Sequence, residues 1–233
     1  MSIRASLLAL LLVGCSPCEP GPLTRIDLPR IDHVIVGVDN LERGIAEIER
    51  RTGVRPIIGG VHPGAGTRNA LLSLGEGTYL EIIAPNPAEP VASAEVEQLR
   101  ALKRTTPIGW AVSARDADAL RSTMQSTDFP LTPPEPGSRR KPDGTLLSWV
   151  TFGFANFDHP LAPFFIVWGE PSKHPSRTSP AGCTLQSLNL RDPAANPLRR
   201  AIEPLHVPVN VGQSAKSGMK LILFCPRGAV TFG

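Results

Sequence analysis

The stretch that decides the fold runs from Ile31 to Pro85: IDHVIVGV (31–38), DNLERGIAEIERRTG (39–53) and VRPIIGGVHPGAGTRNALLSLGEGTYLEIIAP (54–85). The first piece reads as a strand, the second as an amphipathic helix and the third as three further strands. Asp39 or Asn40 can cap the helix, with Glu42 in its first turn. Leu41, Ile45 and Ile48 fall at i, i+4 and i+7 and make one apolar face, which Gly53 ends. Val54–Val61, Asn69–Leu74 and Tyr79–Ala84 are the strands, the last two joined by a turn at Gly75-Glu76-Gly77. His33 and Glu81 interrupt otherwise apolar strands. A polar group that goes inside must find a partner, and a metal ion or a substrate can be that partner.

The same βαβββ order recurs along the chain. A second unit starts at Ile108–Val112, continues with a helix capped by Asp116 and bearing Leu120 and Met124, and ends in strands Leu146–Phe152 and Phe164–Trp168. A Pro-rich connection, PLTPPEPGSRRKPDG (130–144), reads as irregular chain. A fainter third unit has strands Thr184–Leu190, Met219–Phe224 and Ala229–Phe232, and a helix beginning at Asn196-Pro197. The expected architecture is α+β: a domain over 30–176 made of modules 30–87 and 106–176, forming a curved mixed sheet around a cleft. A partial third module follows over 180–233.

Composition narrows the possibilities. The 233 residues are 41% hydrophobic and 19% charged, as in an ordinary globular protein, and the net charge is only +3. No basic stripe points to nucleic acid. Residues 1–15 combine Arg4, an apolar run Ala5–Val13 and Gly14-Cys15. The run is too short to span a bilayer and has the layout of a bacterial export signal. Leu12-Val13-Gly14-Cys15 resembles a lipobox, so Cys15 is a candidate for lipidation, with residues 16–29 as a tether. The expected location is the periplasm or a lipid anchor on a membrane; a cytoplasmic chain is the alternative. Of four cysteines, Cys18 lies in the tether, while Cys183 and Cys225 can form a disulfide in an exported chain or remain two buried thiols in a cytosolic one.

The repeated unit, with HPGAGTRN (62–69) and WGEPSKHPS (168–176), resembles the glyoxalase-like domain group of the vicinal-oxygen-chelate superfamily. That group contains enzymes and drug-binding proteins on one scaffold, so the resemblance alone leaves the chemistry open. It implies that the first and last strands of a unit lie side by side, placing His33 beside Glu81 and the strand after Cys183 beside the one that contains Cys225. Metal-using members take one ligand from each of four strands, commonly His, Glu, His and Glu. His33 and Glu81 match the first pair, but Trp110 stands at the position equivalent to His33, and Phe165 or Ile166 at that equivalent to Glu81. His62 and His174 are the candidate replacements, giving a metal set of His33, Glu81, His62 and His174 for zinc, nickel, manganese or iron. Without a metal, Glu81 is the candidate base and His33 the acid.

Asn69, Trp110, Trp168 and Arg140 are candidate substrate contacts, with Arg139, Arg140 and Lys141 able to clamp an anion. His159 and His206 read as ordinary loop residues. No phosphate loop, dinucleotide fingerprint, nucleophile elbow or HExxH is present, so no nucleotide cofactor is expected. The leading expectation is a lyase, isomerase or hydrolase acting on an oxygen-rich small molecule. A ligand-sequestering protein and a vestigial envelope module are the alternatives. The sequence leaves the oligomeric state open.

Overall fold

Two four-stranded units join edge to edge and close into a barrel. The computed structural model describes residues 29–114, 116–169 and 173–233. The export signal, Cys15, Cys18 and all but the last residue of the tether fall outside them. The first unit is β1 (Arg30–Gly37), α1 (Leu41–Thr52), β2 (Ile57–His62), β3 (Thr67–Ser73) and β4 (Tyr79–Pro85). A short helix α2 (Ala94–Ala101), capped by Ser93, leads to the second unit. That unit is β5 (Thr106–Ser113), α3 (Ala117–Gln125), β6 (Glu135–Arg140), β7 (Leu146–Phe152) and β8 (Phe164–Trp168). The barrel order is β1-β4-β3-β2-β6-β7-β8-β5. In each unit the first strand runs parallel to the last, β1 beside β4 and β5 beside β8.

Local sequence explains the helices. Asn40 caps α1 by accepting a hydrogen bond from the Arg43 amide, and Gly53 ends it in the left-handed region at φ 80°. Leu41, Ile45 and Ile48 are buried, as the 3.6-residue period requires. Asp116 caps α3 by accepting from the Asp118 and Ala119 amides, and Leu120 and Met124 face inward. The largest fully buried side chains include Trp110, Phe165 and Phe232. Each such aromatic contributes on the order of 1.5–3 kcal/mol of apolar burial.

Three expectations are corrected. The segment 130–144 is not all irregular: Glu135–Arg140 forms β6, which pairs with β7 along six residues and completes the barrel. Its Pro, Gly and charges hid a strand whose outer side meets water. Helix α2 was not expected. The last unit is also more than a half-module. It has β9 (Thr184–Asp192), α4 (Ala195–Ile202), β10 (Val209–Gln213), β11 (Gly218–Cys225) and β12 (Gly228–Phe232). Its strand order is β10-β9-β11-β12, so β9 lies parallel to β10 rather than to the final strand. This sheet shares the barrel's hydrophobic core, and Arg51 of α1 stacks 4.1 Å from the Phe232 ring centroid.

The two barrel seams differ. β1 and β5 pair along their lengths, whereas β2 and β6 meet through one residue pair, Val61 with Arg140. Gly60 sits at this second seam with φ 143°, and a Cβ there would lie 2.1 Å from the Arg140 carbonyl oxygen. Only glycine lets β6 approach so closely. No helix among the described residues is long and apolar enough to cross a membrane.

Cys183 and Cys225 are joined in a disulfide between the start of β9 and the end of β11, across 42 residues of sequence. A loop of this length stabilises chiefly by restricting the unfolded chain. The double variant Cys183→Ser/Cys225→Ser is expected to lose about 2–4 kcal/mol in urea unfolding. Adding reductant should destabilise the parent to a similar extent and leave the variant unchanged.

Candidate active site

The barrel encloses a cavity of about 1030 Å³. Its polar side is built by the first unit and β6; its other side carries Trp149, Phe152, Phe164, Ile166 and Trp168. The polar groups begin with a β-bulge in β1. Ile31 pairs with Val112 and His33 with Ala111, which leaves Asp32 as the extra residue. The bulge lets two consecutive polar side chains act together instead of pointing to opposite faces of the sheet.

Asp32 is fully buried. Its Oδ1 is 2.7 Å from His33 Nδ1. Its Oδ2 lies 3.0 Å from His174 Nε2 and accepts a hydrogen bond from Trp168 Nε1 at 3.1 Å. Burial pushes the Asp32 pKa up, but the hydrogen bonds to His174 and His33, and their charges, outweigh it and hold the group well below the usual carboxylate range. His33 is thereby fixed by a carboxylate on Nδ1, stacks on Tyr79 at 4.7 Å between centroids, and turns Nε2 toward Glu81 Oε2 at 3.5 Å.

Glu81 is the cavity's central carboxylate. Its Oε1 accepts from Asn69 Nδ2 at 2.6 Å and lies 3.7 Å from His62 Nε2. Burial raises its pKa; the charges of His33 and His62, the Asn69 hydrogen bond and Arg139 bring it below the ordinary value. His62 is anchored through Nδ1 to Thr67 Oγ at 2.9 Å. Burial lowers its pKa, against the pull of Glu81 and with help from Arg139 and His33. Tyr79 is pushed well above its usual range by burial and by the Glu81 and Asp32 charges, so it stays a neutral phenol. Arg139 donates to Asn69 Oδ1 at 3.1 Å. Asn69 therefore links the guanidinium to Glu81.

The sequence-derived candidates separate into two groups. His33, Glu81, His62, Asn69 and Trp168 all line the cavity. His174 does not: both its ring nitrogens are engaged, one by Asp32 and the other by Ser176 at 2.8 Å. Trp110 is a second correction. It lies on the opposite face of β5, fully buried, with Nε1 donating to the Leu161 carbonyl. The residue facing His33 is Ala111, one step along. Arg140 is the third correction, for β6 alternates: Arg140 is exposed and donates to the Gly144 carbonyl, while Arg139 points inward. Asp32, Tyr79 and Trp149 were not among the candidates, and Arg139 was one only as part of the Arg139–Lys141 anion clamp. The overlooked signal for Asp32 was a second polar residue beside His33 in an apolar strand.

The family's four-ligand metal centre does not fit these side chains. In the second unit the positions equivalent to His33 and Glu81 are Ala111 and Ile166, neither of which can ligate. His174 is committed to Asp32 and Ser176, and among the described residues no three His, Cys, Asp or Glu are arranged to hold a metal ion. Arg139 already brings positive charge to the Glu81–Asn69 pair. What the arrangement offers is an ionised carboxylate flanked by two imidazoles.

Comparison with known proteins bears on the family and the fold. A family model described as a glyoxalase-like domain matches residues 31–206. No curated protein matches significantly. A crystal structure of a hypothetical protein from Staphylococcus aureus is similar with a TM-score of 0.66 at 14% identity, covering 88% of this chain and 99% of that one. Methylmalonyl-CoA epimerase from Mycobacterium tuberculosis gives a TM-score of 0.40 at 19% identity, over 59% of this chain and 85% of that one. A Streptomyces coelicolor methylmalonyl-CoA epimerase in complex with 2-nitronate-propionyl-CoA gives 0.41 at 19% identity, over 60% and 96%. At these identities the likeness concerns the fold.

The Asp32 network has a direct stability test. A depressed folded-state pKa contributes stability that is complete above the unfolded value, near 3.9, and is lost as pH falls through the folded value. Asp32→Ala leaves the buried His33 and the half-buried His174 without their acceptor and is expected to cost about 3 kcal/mol at pH 7. It should also flatten the decline in stability below pH 4. Urea unfolding of both proteins between pH 2 and 8 measures both effects.

Proposed function

We propose, from the premise that this chain belongs to the glyoxalase-like domain family, that it is a lyase or isomerase acting on a small oxygen-rich molecule through proton transfer at a carbon next to a carbonyl. Glu81 is the base. His33 Nε2, backed by Asp32, returns the proton or stabilises the oxygen on which negative charge develops. The observation that carries this reading is one carboxylate, 7% exposed in a large cavity, lying 3.5 Å from His33 and 3.7 Å from His62. Glu81 below the ordinary carboxylate pKa is ready to accept a proton throughout the neutral range. The Tyr79 phenol, kept neutral, completes the wall beside His33 without adding charge.

The test is hydrogen–deuterium exchange, followed by NMR, over a panel of 2-oxo acids, 2-hydroxy acids and branched thioesters. Exchange at one carbon should fall by about 100-fold or more in Glu81→Gln, and it should survive a chelator, since the acid and base are side chains. Compounds that bind at full affinity yet never exchange would reject the enzyme reading and leave a sequestering protein. That second reading is favoured by one feature, the apolar second half of the cavity around Phe152, Phe164 and Ile166.

Export and lipidation belong to the same proposal. The Cys183–Cys225 disulfide suits an oxidising compartment. The intact mass of protein taken from the membrane fraction should show cleavage before Cys15 and added acyl chains; an unmodified Cys15 with Met1 retained would remove that part.

A further inference from the structure

Arg139 has 3% of its surface exposed, yet no carboxylate among the described residues lies within salt-bridge distance of it. One nitrogen, Nη1, donates to Asn69 Oδ1 at 3.1 Å, and the guanidinium has no other side-chain partner among those residues. A buried cation is normally paired, because desolvation is repaid only by an opposite charge at close range. This one lines the cavity of about 1030 Å³ instead of meeting an internal partner. Chain geometry makes room for it. At Gly59 a Cβ would lie 2.1 Å from Arg139 Nη1 and 2.3 Å from Asn69 Oδ1, so any larger residue would displace both. Gly59 is also the residue skipped where the β2–β3 register shifts between Ile58 and Gly60.

We infer that Arg139 is the anchor for a carboxylate on the ligand, and that the ligand class is a small organic acid with an apolar, preferably aromatic, tail. The guanidinium offers paired N–H donors of the geometry a carboxylate accepts. Asn69 joins it to Glu81 through contacts of 3.1 and 2.6 Å, so a bound carboxylate places its neighbouring carbon beside Glu81. The tail then meets Trp149 and Trp168, whose rings are 5.4 Å apart. Gly137 lets Trp149 lie there, for a Cβ at that position would sit 2.3 Å from its Nε1. This deepens the proton-transfer reading and rests on it only for the position of the reacting carbon.

The probes are phenylpyruvate, phenyllactate and hydrocinnamate, each titrated calorimetrically against its methyl ester. The acids should bind at least tenfold tighter than their esters. Arg139→Gln should erase that preference, Arg139→Lys should keep part of it, and Arg140→Gln, on the outer face, should keep all of it. Glu81→Gln should bind the acids at least as tightly as the parent. Equal affinity for acid and ester, undiminished acid binding in Arg139→Gln, or no binding of any acid would each overturn the inference. If Arg139→Gln does not fold, the acid–ester ratio in the parent and Arg139→Lys still decide. Arg139-dependent acid binding without carbon exchange would reject the enzyme reading alone; Glu81-dependent exchange with neutral compounds preferred would reject the anchor alone.

Discussion

A carboxylate that never meets water holds this site together. Asp32 receives His33 from its own strand, Trp168 from the end of β8 and His174 from the segment that follows. Two pieces of chain distant in sequence, β1 and the stretch 168–174, are tied by one buried charge, and each contact depends on Asp32 staying ionised. Desolvation works against that; the hydrogen bonds to His174 and His33, and their charges, overcome it. The bulge in β1 is the backbone feature that allows the arrangement. An unbulged strand would send Asp32 and His33 to opposite faces and leave one of them without its partner. The fixed orientation of His33, and with it the environment of Glu81, follows.

The two halves of the barrel share a topology but divide the work. The first unit supplies Asp32, His33, His62, Asn69, Tyr79 and Glu81; the second supplies an aromatic and aliphatic wall with Ser138, Ser148 and Thr151 beside it and, among the described residues, the one buried cation, Arg139. The register β1–β5 sets Ala111 opposite His33, and β5–β8 sets Ile166 two residues beyond the Phe164 that faces Ala111. The repeated fold therefore places chemistry on one side of the cavity and grip on the other. The weak β2–β6 seam brings Arg139 into the polar side, because Gly59 and Gly60 leave space for β6 to close in.

Much of this was legible in the sequence, and the exceptions have physical causes. Periodicity gave α1 with its buried face and the Asp116 cap of α3, because burial and capping are local requirements. His33 and Glu81 stood out because a polar side chain in an apolar strand is costly unless partnered. β6 was hidden because a strand with one wet face, joined to β2 through a single residue pair, can carry Pro, Gly and Arg, which read as loop. That concealment exchanged Arg139 for Arg140, since without a strand no alternation says which one points inward. Trp110 was placed in the cleft by counting residues, whereas register depends on the β1 bulge, a property of the pairing and not of either strand alone. The motif around His174 points to a metal ligand, whereas its contact with Asp32 depends on the segment after β8 folding back toward β1, a long-range fact that no local pattern carries.

The electrostatics bear on how a carboxylate held below the usual pKa can act as a base. A low pKa guarantees that Glu81 is ionised, but it also makes it a weak proton acceptor. The groups that lower it are His33, His62, Asn69 and Arg139. An anion drawn to Arg139 spends part of that positive charge and brings a second negative charge close to Glu81. It also displaces water from the cavity. All three changes favour the protonated form of Glu81. Ligand binding would thus raise the basicity of Glu81 at the moment a proton must be taken, while the empty cavity keeps it ionised and ready. Asp32, buried behind His33 and saturated with donors, keeps its charge through the same event, so the imidazole remains oriented as the balance of charge in front of it changes.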